Sequence, residues 1–274
     1  SAGAKTVITV AASAPTLYYY CTQHSGMGGQ ANTNSTFGSS NFSGSIQTLV
    51  SANQTSGFSI IKYAGNSTNS TIGHGLGASP SVIFFKEIDG AESWRVHHTS
   101  LPNNSTNTLS LNSTNASFAQ TGWISAISSS TISIGNDSSF NTSGNNYIAY
   151  CFAEKKGYSK FSSFVSNGNA DGTFCFTGFS PAWVMMKQSS GGSTGWVIYD
   201  NKRAPFNVRK NRLFANGSDA EGTSTGNMID MLSNGFKIRA TGTTAGGNSG
   251  ATYIYMAFAE APLVTSTGIP TTAR

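Results

Sequence analysis

One unit written twice limits what this chain can fold into more than any other feature. "GFSIIKYAGN" begins at Gly57 and "GYSKFSSFVSN" at Gly157; "GASPSVIFFK" runs from Gly77 to Lys86 and "GFSPAWVMMK" from Gly178 to Lys187. Trp94 answers to Trp196, Pro102 to Pro205, Leu109 to Leu213, and "NSTNAS" at Asn112 to "NGSDAE" at Asn216. "SGNNYIAYCFAE", ending at Glu154, matches "SGATYIYMAFAE", ending at Glu260. The offset between partners grows from 100 to 106 in small steps, as expected of one supersecondary unit copied once and then given loop insertions.

Period and composition predict six strands in the first copy, near 58–63, 81–86, 94–98, 123–127, 131–134 and 146–153. "SVIFFK" and "YIAYCFA" are apolar on both faces, which places those strands between layers. Only 10 % of the 274 residues are charged, against about 25 % in ordinary globular chains. Charged helix formers are therefore too scarce for long amphipathic helices, and one short helix is expected at "NMIDML" (227–232). The expected fold is all-β: two tandem homologous β-sandwich domains, jelly-roll or lectin-like, with an extended N-terminal β arm. The arm covers 1–30, a Ser/Asn/Gly-rich connector 31–56, the sandwiches 57–155 and 156–262, and a tail 263–274. Within the connector, "SIQTLVSA" reads as an extra strand leading into the first copy. The opening Ser1 is expected of a processed chain or a piece of a longer one, and "KTVITVAASAP" is too short and β-branched for a signal peptide, so it reads as a strand. No apolar run approaches the roughly 18 residues of a membrane span. The net charge of +5 is mild and no nucleic-acid-binding module is visible, so neither membrane nor nucleic acid is expected as a partner.

The pattern that starts at "GFSIIKYAGN", passes through "HGLGASPSVIFFK", a tryptophan and "NSTNAS", and ends at "SGNNYIAYCFAE" resembles a known family. It is a duplicated β domain of uncharacterised function found in structural and fibre-like proteins of marine tailed bacteriophages. The resemblance covers roughly 45–262 and brings no catalytic residues with it. What it implies is a place: the virion, outside the cell, as a tail-fibre or appendage component for host attachment, with a capsid decoration protein as the alternative. It further implies a homo-oligomer, for which a trimer is the expectation, with other virion proteins and a host surface glycan as partners.

Positions shared by both copies most simply serve the fold, among them Trp94 and Trp196, Tyr147 and Tyr253, and Glu154 and Glu260. Positions present in one copy only are better functional candidates. "KRAPFNVRKNR" (202–212) carries Lys202, Arg203, Arg209, Lys210 and Arg212, whereas the matching "SLPNNSTNT" has no charge. Five cations in a loop can attract an anionic glycan, a lipopolysaccharide phosphate or an acidic protein, or can simply face solvent. Trp123 and Trp183 have no aromatic counterpart; exposed, either could stack on a sugar ring, and buried, it belongs to a core. The acids of "NGSDAE", Asp219 and Glu221, are absent from "NSTNAS", so no role for them is common to both copies.

"YYYCTQHSGMGG" resembles the copper-ligand loop and C-terminal hairpin of cupredoxins, with Cys21, His24 and Met27 matching in type and order. Soft sulfur with imidazole suits copper, but the second histidine such a centre needs from upstream is missing. The stretch is therefore read as a truncated hairpin whose sheet is completed elsewhere, and no cofactor is expected unless these three residues hold copper. His97 and His98, adjacent on a strand, face opposite sides and cannot chelate together; one is expected inward beside Trp94 and the other at the surface. Cys151 and Cys175 read as buried thiols. "GGSTG" (191–195) fits the pattern of a serine nucleophile but lies between two β runs, without the strand-to-helix turn that chemistry needs. No enzyme is expected.

Overall fold

The computed structural model describes residues 8, 10, 14–24, 28–31 and 38–260. Strands β1 (Leu17–Tyr20) and β2 (Gly28–Ala31) form an antiparallel hairpin, and β3 (Ser39–Asn41) and β4 (Thr48–Asn53) follow. The first half then contains β5 (Phe58–Ala64), β6 (Ser70–Gly73), β7 (Val82–Glu87), β8 (Arg95–His98), β9 (Asn107–Ser110), β10 (Phe118–Ala119), β11 (Ile124–Ile127), β12 (Thr131–Ile134), helix α1 (Ser138–Asn141) and β13 (Asn146–Phe152). The second half contains β14 (Ser159–Val165), β15 (Phe174–Phe176), β16 (Pro181–Gln188), β17 (Val197–Asp200), β18 (Asn211–Phe214), β19 (Gly222–Thr223), β20 (Ile229–Leu232), β21 (Gly235–Ile238) and β22 (Thr252–Ala259). The strand predicted in "KTVITVAASAP" (5–15) and the tail beyond 260 lie outside the described residues, apart from Ile8, Val10, Ala14 and Pro15.

The chain is all-β, and its halves have one strand order. The large sheet of the first runs β10-β9-β8-β7-β13-β5, extended by β4 and β3; that of the second runs β19-β18-β17-β16-β22-β14. The small sheets run β11-β12-β6 and β20-β21-β15. Glycine recurs at the repeated positions for a backbone reason. Gly57 and Gly157, like Gly77 and Gly178, sit at positive φ (70°, 76°, 68° and 83°), where a side chain is strained. At Gly57 a Cβ would also meet the carbonyl oxygen of Ala153 at 2.3 Å.

Strand alternation sorts the apolar residues into three cores. On β7, Ile83 and Phe85 point to the small sheet of their own half, packing with Ile72, Ile124, Ile132 and Ile134, while Val82 and Phe84 point the other way. On β16, Val184 and Met186 pack with Ile229, Phe236 and Ile238, while Trp183 and Met185 point the other way. Those outward residues meet each other: Val82, Val96 and Leu109 pack against Met185, Trp196, Ile254 and Met256. The sandwiches are thus stacked large sheet on large sheet, in four layers. This explains why β7 and β13 are apolar on both faces: each lies between two cores. Each large side chain so buried is worth about 1.5–3 kcal/mol.

Details repeat across the halves. Tyr147 stacks on Tyr63 at 5.4 Å and Tyr253 on Phe164 at 5.3 Å, and their hydroxyls donate to the carbonyls of Ser138 and Thr243. Asn112 Oδ1 accepts from the Trp94 amide and Asn216 Oδ1 from the Trp196 amide. The repeated asparagine in "NSTNAS" and "NGSDAE" therefore holds a turn.

Two expectations are corrected. The segment 227–232 is not helical: Ile229–Leu232 is β20, paired with β21 across a tight turn, with Ile229 and Met231 alternating inward. Among the described residues the one α-helix is α1, capped by Asp137, whose carboxylate accepts from the Ser139 amide at 2.8 Å. The stretch 31–56 is also more than a connector. β4 pairs with β5 over Leu49–Asn53, and Ile46 and Val50 enter the first core.

Candidate functional site

Near the crossing from β13 to β14, the layer shared by the two large sheets opens into a cleft of about 540 Å³. Phe58, Phe84 and Phe152 come from the first half, and Tyr158, Phe161, Trp183, Met256 and Phe258 from the second. The positions follow from the alternation above: Phe84, Phe152, Trp183 and Phe258 all point into the interlayer, Phe152 and Phe258 from the ends of β13 and β22. Phe152 and Phe258, equivalent in the two halves, meet at 6.2 Å between ring centres. Phe152 also contacts Phe58 (4.9 Å) and Phe84 (5.7 Å), and Phe258 contacts Phe161 (5.6 Å), Trp183 (5.7 Å) and Tyr158 (5.8 Å). The volume lies in the range of small-molecule sites, and the walls are aromatic with a few polar groups. Among the described lining residues the polar side-chain groups are the hydroxyls of Ser56, Ser159 and Tyr158 and the indole N–H of Trp183; among them there is no carboxylate, imidazole or thiol.

Of the tryptophans singled out in the sequence, Trp183 is half-buried in this cleft. Trp123 is not a ligand platform. It is 3 % exposed and packs edge-on against Phe85 (5.7 Å) and Phe140 (4.9 Å) in the first core. The cleft rings Phe152 and Phe258 went unmarked in the sequence because shared positions were assigned to the fold. The available signal was an aromatic residue in both copies at a strand end facing away from its own small sheet.

The cationic loop is more structured than its composition suggests. Lys202 pairs with Glu260 at 2.9 Å, holding the Glu260 carboxyl below the usual range. Arg203 pairs with Asp200 (2.5 Å) and Glu221 (3.2 Å). Burial works against ionised Asp200, but hydrogen bonds from Arg203 and Lys202 keep its carboxyl low. Lys210 is exposed, and Arg212 lies 5.4 Å over the Phe214 ring. Arg209 is buried, which lowers its guanidinium pKa against the opposing charges of Asp200, Glu260 and Asp230. The five residues are therefore not one solvent-facing basic patch.

His97 and His98 face opposite sides of β8 as expected, yet both are buried, which corrects the expectation of one at the surface. The large sheet carrying β8 is covered on both faces, so neither side of the strand meets water. Burial first, and for His97 also the neighbouring His98, pushes both down to about 4. His98 Nδ1 accepts from the Ser100 amide (3.1 Å), so Nε2 donates across the interlayer to the Tyr255 carbonyl (3.2 Å). His74 repeats the arrangement, with Nδ1 taking the Leu76 amide and Nε2 facing the Ser128 carbonyl. Cys151 and Cys175 are buried and unpaired, and burial raises both, Cys151 to about 12.

In the arm, Cys21 Sγ lies 3.3 Å from His24 Nδ1, while Met27 is outside the described residues. No group of three or more His, Cys, Asp or Glu stands together among the described residues. The hairpin leans on the first half through Tyr19, whose ring meets Phe42 edge-on (5.6 Å), and through Gln47 Nε2, which donates to the Gln30 carbonyl (2.9 Å). Among the described residues no helix is long and apolar enough to cross a membrane.

A family model described as a domain of unknown function (DUF7483) matches residues 31–262. No curated protein and no solved structure matches the chain.

Proposed function

The chain belongs to that family of unknown function, and we propose that it is a structural component of a tailed-phage virion, part of a tail fibre or similar appendage that attaches to the host surface. The motif resemblance supports the setting. The mode of action rests on the cleft between the halves, the observation that carries this reading. It offers ring faces and edges, a few hydroxyls and no group placed to move a proton, so a ligand there is held rather than converted. Saccharide rings, with apolar faces and polar rims, suit such walls. A surface with few charges keeps its solubility independent of salt-screened pairs, which serves a protein exposed outside the cell. In this reading the chain acts as a homo-oligomer, a trimer, among other virion proteins.

The test uses the full chain, fluorescently labelled, on host cells, with Trp183→Ala alongside. Saturable attachment that weakens about tenfold in the variant is expected. Attachment equal in both, or absent from the wild type, overturns the reading. Gold-labelled antibody on intact particles separates the two virion positions: label on the tail is expected, and label on the capsid lattice assigns the chain to decoration instead.

A further inference from the structure

The small sheets finish their outer edges differently. In the second half Arg209 exchanges backbone hydrogen bonds with Ile229 (2.9 and 3.1 Å), and the Asn207 side chain accepts from the Met231 amide (3.0 Å) and donates to the Met231 carbonyl (2.8 Å). Loop 202–212 thus plugs the flank of β20. Strand β11 holds the same place in the first half. Among the described residues the matching loop makes no backbone hydrogen bond to it, and Asn104 turns back to donate to the Thr99 carbonyl at 2.7 Å. Two clefts of about 250 and 470 Å³ open there instead, and they adjoin, since Ser105, Ile124 and Ser125 line both. β11 also carries one residue more. Its pairing with β12 skips Ser125 between Ile124 and Ala126, whereas β20 and β21 pair residue for residue. Bulges of this kind re-aim a side chain beside a site, and this one stands at the junction of the two clefts.

The walls select by chemistry. Thr99, Ser105, Thr121 and Ser125 are exposed, with Asn104 and Gln120 beside them. Among the described lining residues none is acidic or basic apart from His97, which burial keeps neutral at neutral pH. His97 and Trp123 are themselves enclosed, so they form floor rather than contacts. An ion therefore meets no counter-charge, and an apolar ligand would strip water from hydroxyls and amides without replacing it. A peptide strand is disfavoured too, because the bulge interrupts the backbone row on which it would pair. What fits is a neutral molecule dense in hydroxyls. We propose that this groove binds a neutral saccharide, one sugar unit in each cleft, with Ser105 and Ser125 hydrogen-bonded near the link between them. The larger cleft lies within the usual range of ligand sites, and the smaller just below it. His97 lines the groove while His98 faces the interlayer, so groove and aromatic cleft lie on opposite faces of the first large sheet. The groove adds a second sugar contact to the attachment reading, and only the host surface as carrier of that sugar rests on it.

The experiment applies the labelled full chain to an array of immobilised oligosaccharides: neutral ones built from glucose, mannose, galactose and N-acetylglucosamine, and others bearing uronate or sulfate. Saturable binding to at least one neutral oligosaccharide is expected. Ser125→Tyr, which fills the junction, should weaken that binding by about tenfold or more, and Ser125→Ala by about threefold. The alanine variant adds no bulk and keeps the test decisive if the tyrosine variant fails to fold. Absence of binding to every neutral oligosaccharide overturns the proposal, as does binding to acidic ones alone. Neutral binding that ignores both Ser125 variants overturns it as well. If such binding is lost in Trp183→Ala, the sugar sits in the aromatic cleft, and the attachment reading stands without this groove.

Discussion

At one repeated position the two halves diverge in a telling way. Trp94 is half-buried and stacks on Tyr150 at 6.0 Å within its own half. Trp196 is 2 % exposed, lies in the shared interlayer, and its Nε1 donates across to the Ser110 carbonyl of the first half at 2.9 Å. The backbone plan is the same and the side chains are used differently. The same holds for ionisable groups. His74, His97 and His98 are all in the first half and all buried, and the second half has no histidine. The second half instead carries the arginines of loop 202–212, where the first has neutral residues. A common strand order thus fixes where side chains can go, while the content of each place is free to carry separate duties.

The strongest way to break this comparison is at the tryptophans. Trp196→Ala should cost about 3–5 kcal/mol, because it empties a filled interlayer and removes the indole donor from the Ser110 carbonyl. Trp94→Ala should cost about 1–2 kcal/mol, since that ring is only partly buried. Urea unfolding of both variants measures the difference, and equal losses would mean that the interlayer does not join the halves. Acid comes next. His97 and His98 titrate at about 4 in the fold and near 6.5 when unfolded, so between those values the unfolded chain holds protons that the native chain does not. Stability therefore falls as pH drops from 6.5 towards 4. His97→Phe removes one such proton and should flatten the pH dependence in that window by about 1.4 kcal/mol per pH unit. An unchanged slope would place the acid sensitivity elsewhere. The smallest effects belong to the ion pairs that finish β13 and β22. Lys160→Ala and Lys202→Ala each lose a partly exposed pair with Glu154 or Glu260, and each should cost less than about 1 kcal/mol in thermal unfolding. A larger loss for Lys202 would show that its pair supports the arginine cluster beside it.

All six strands expected in the first half are present, within two residues at each end. They were legible because their apolar residues keep a period of two. β6, β9 and β10 were not. "STIG" and "NTLS" each offer one large apolar residue, Ile72 or Leu109, and β10 is two residues long; such strands form because a neighbour pairs with them. The mistaken helix at 227–232 shows the same limit, since Met, Leu and Asp in a short run do not reveal a period until Gly235–Ile238 folds back on them. The stacking of sandwiches was half-visible: strands apolar on both faces required a layer on each side but did not say that the layer was the other half. The candidate sites divide likewise. The contrast between copies marked the arginine loop and Trp183, while the pairing that occupies Arg203 is only partly local: Asp200 stands three residues before it, but Glu221 stands eighteen after it, beyond any local pattern.

The large sheets also end differently, with a bearing on self-association. In the first half β5 is followed outward by β4 and β3; in the second, among the described residues, β14 is the last strand on that side. An open seven-residue rim is a template on which another polypeptide can polymerise. Here part of the rim is met by side chains: Glu154 accepts from the Phe161 amide at 3.2 Å, and the Thr173 hydroxyl donates to the Val165 carbonyl at 2.9 Å. Two small groups thus occupy part of that rim, so a strand added there would meet backbone groups already engaged.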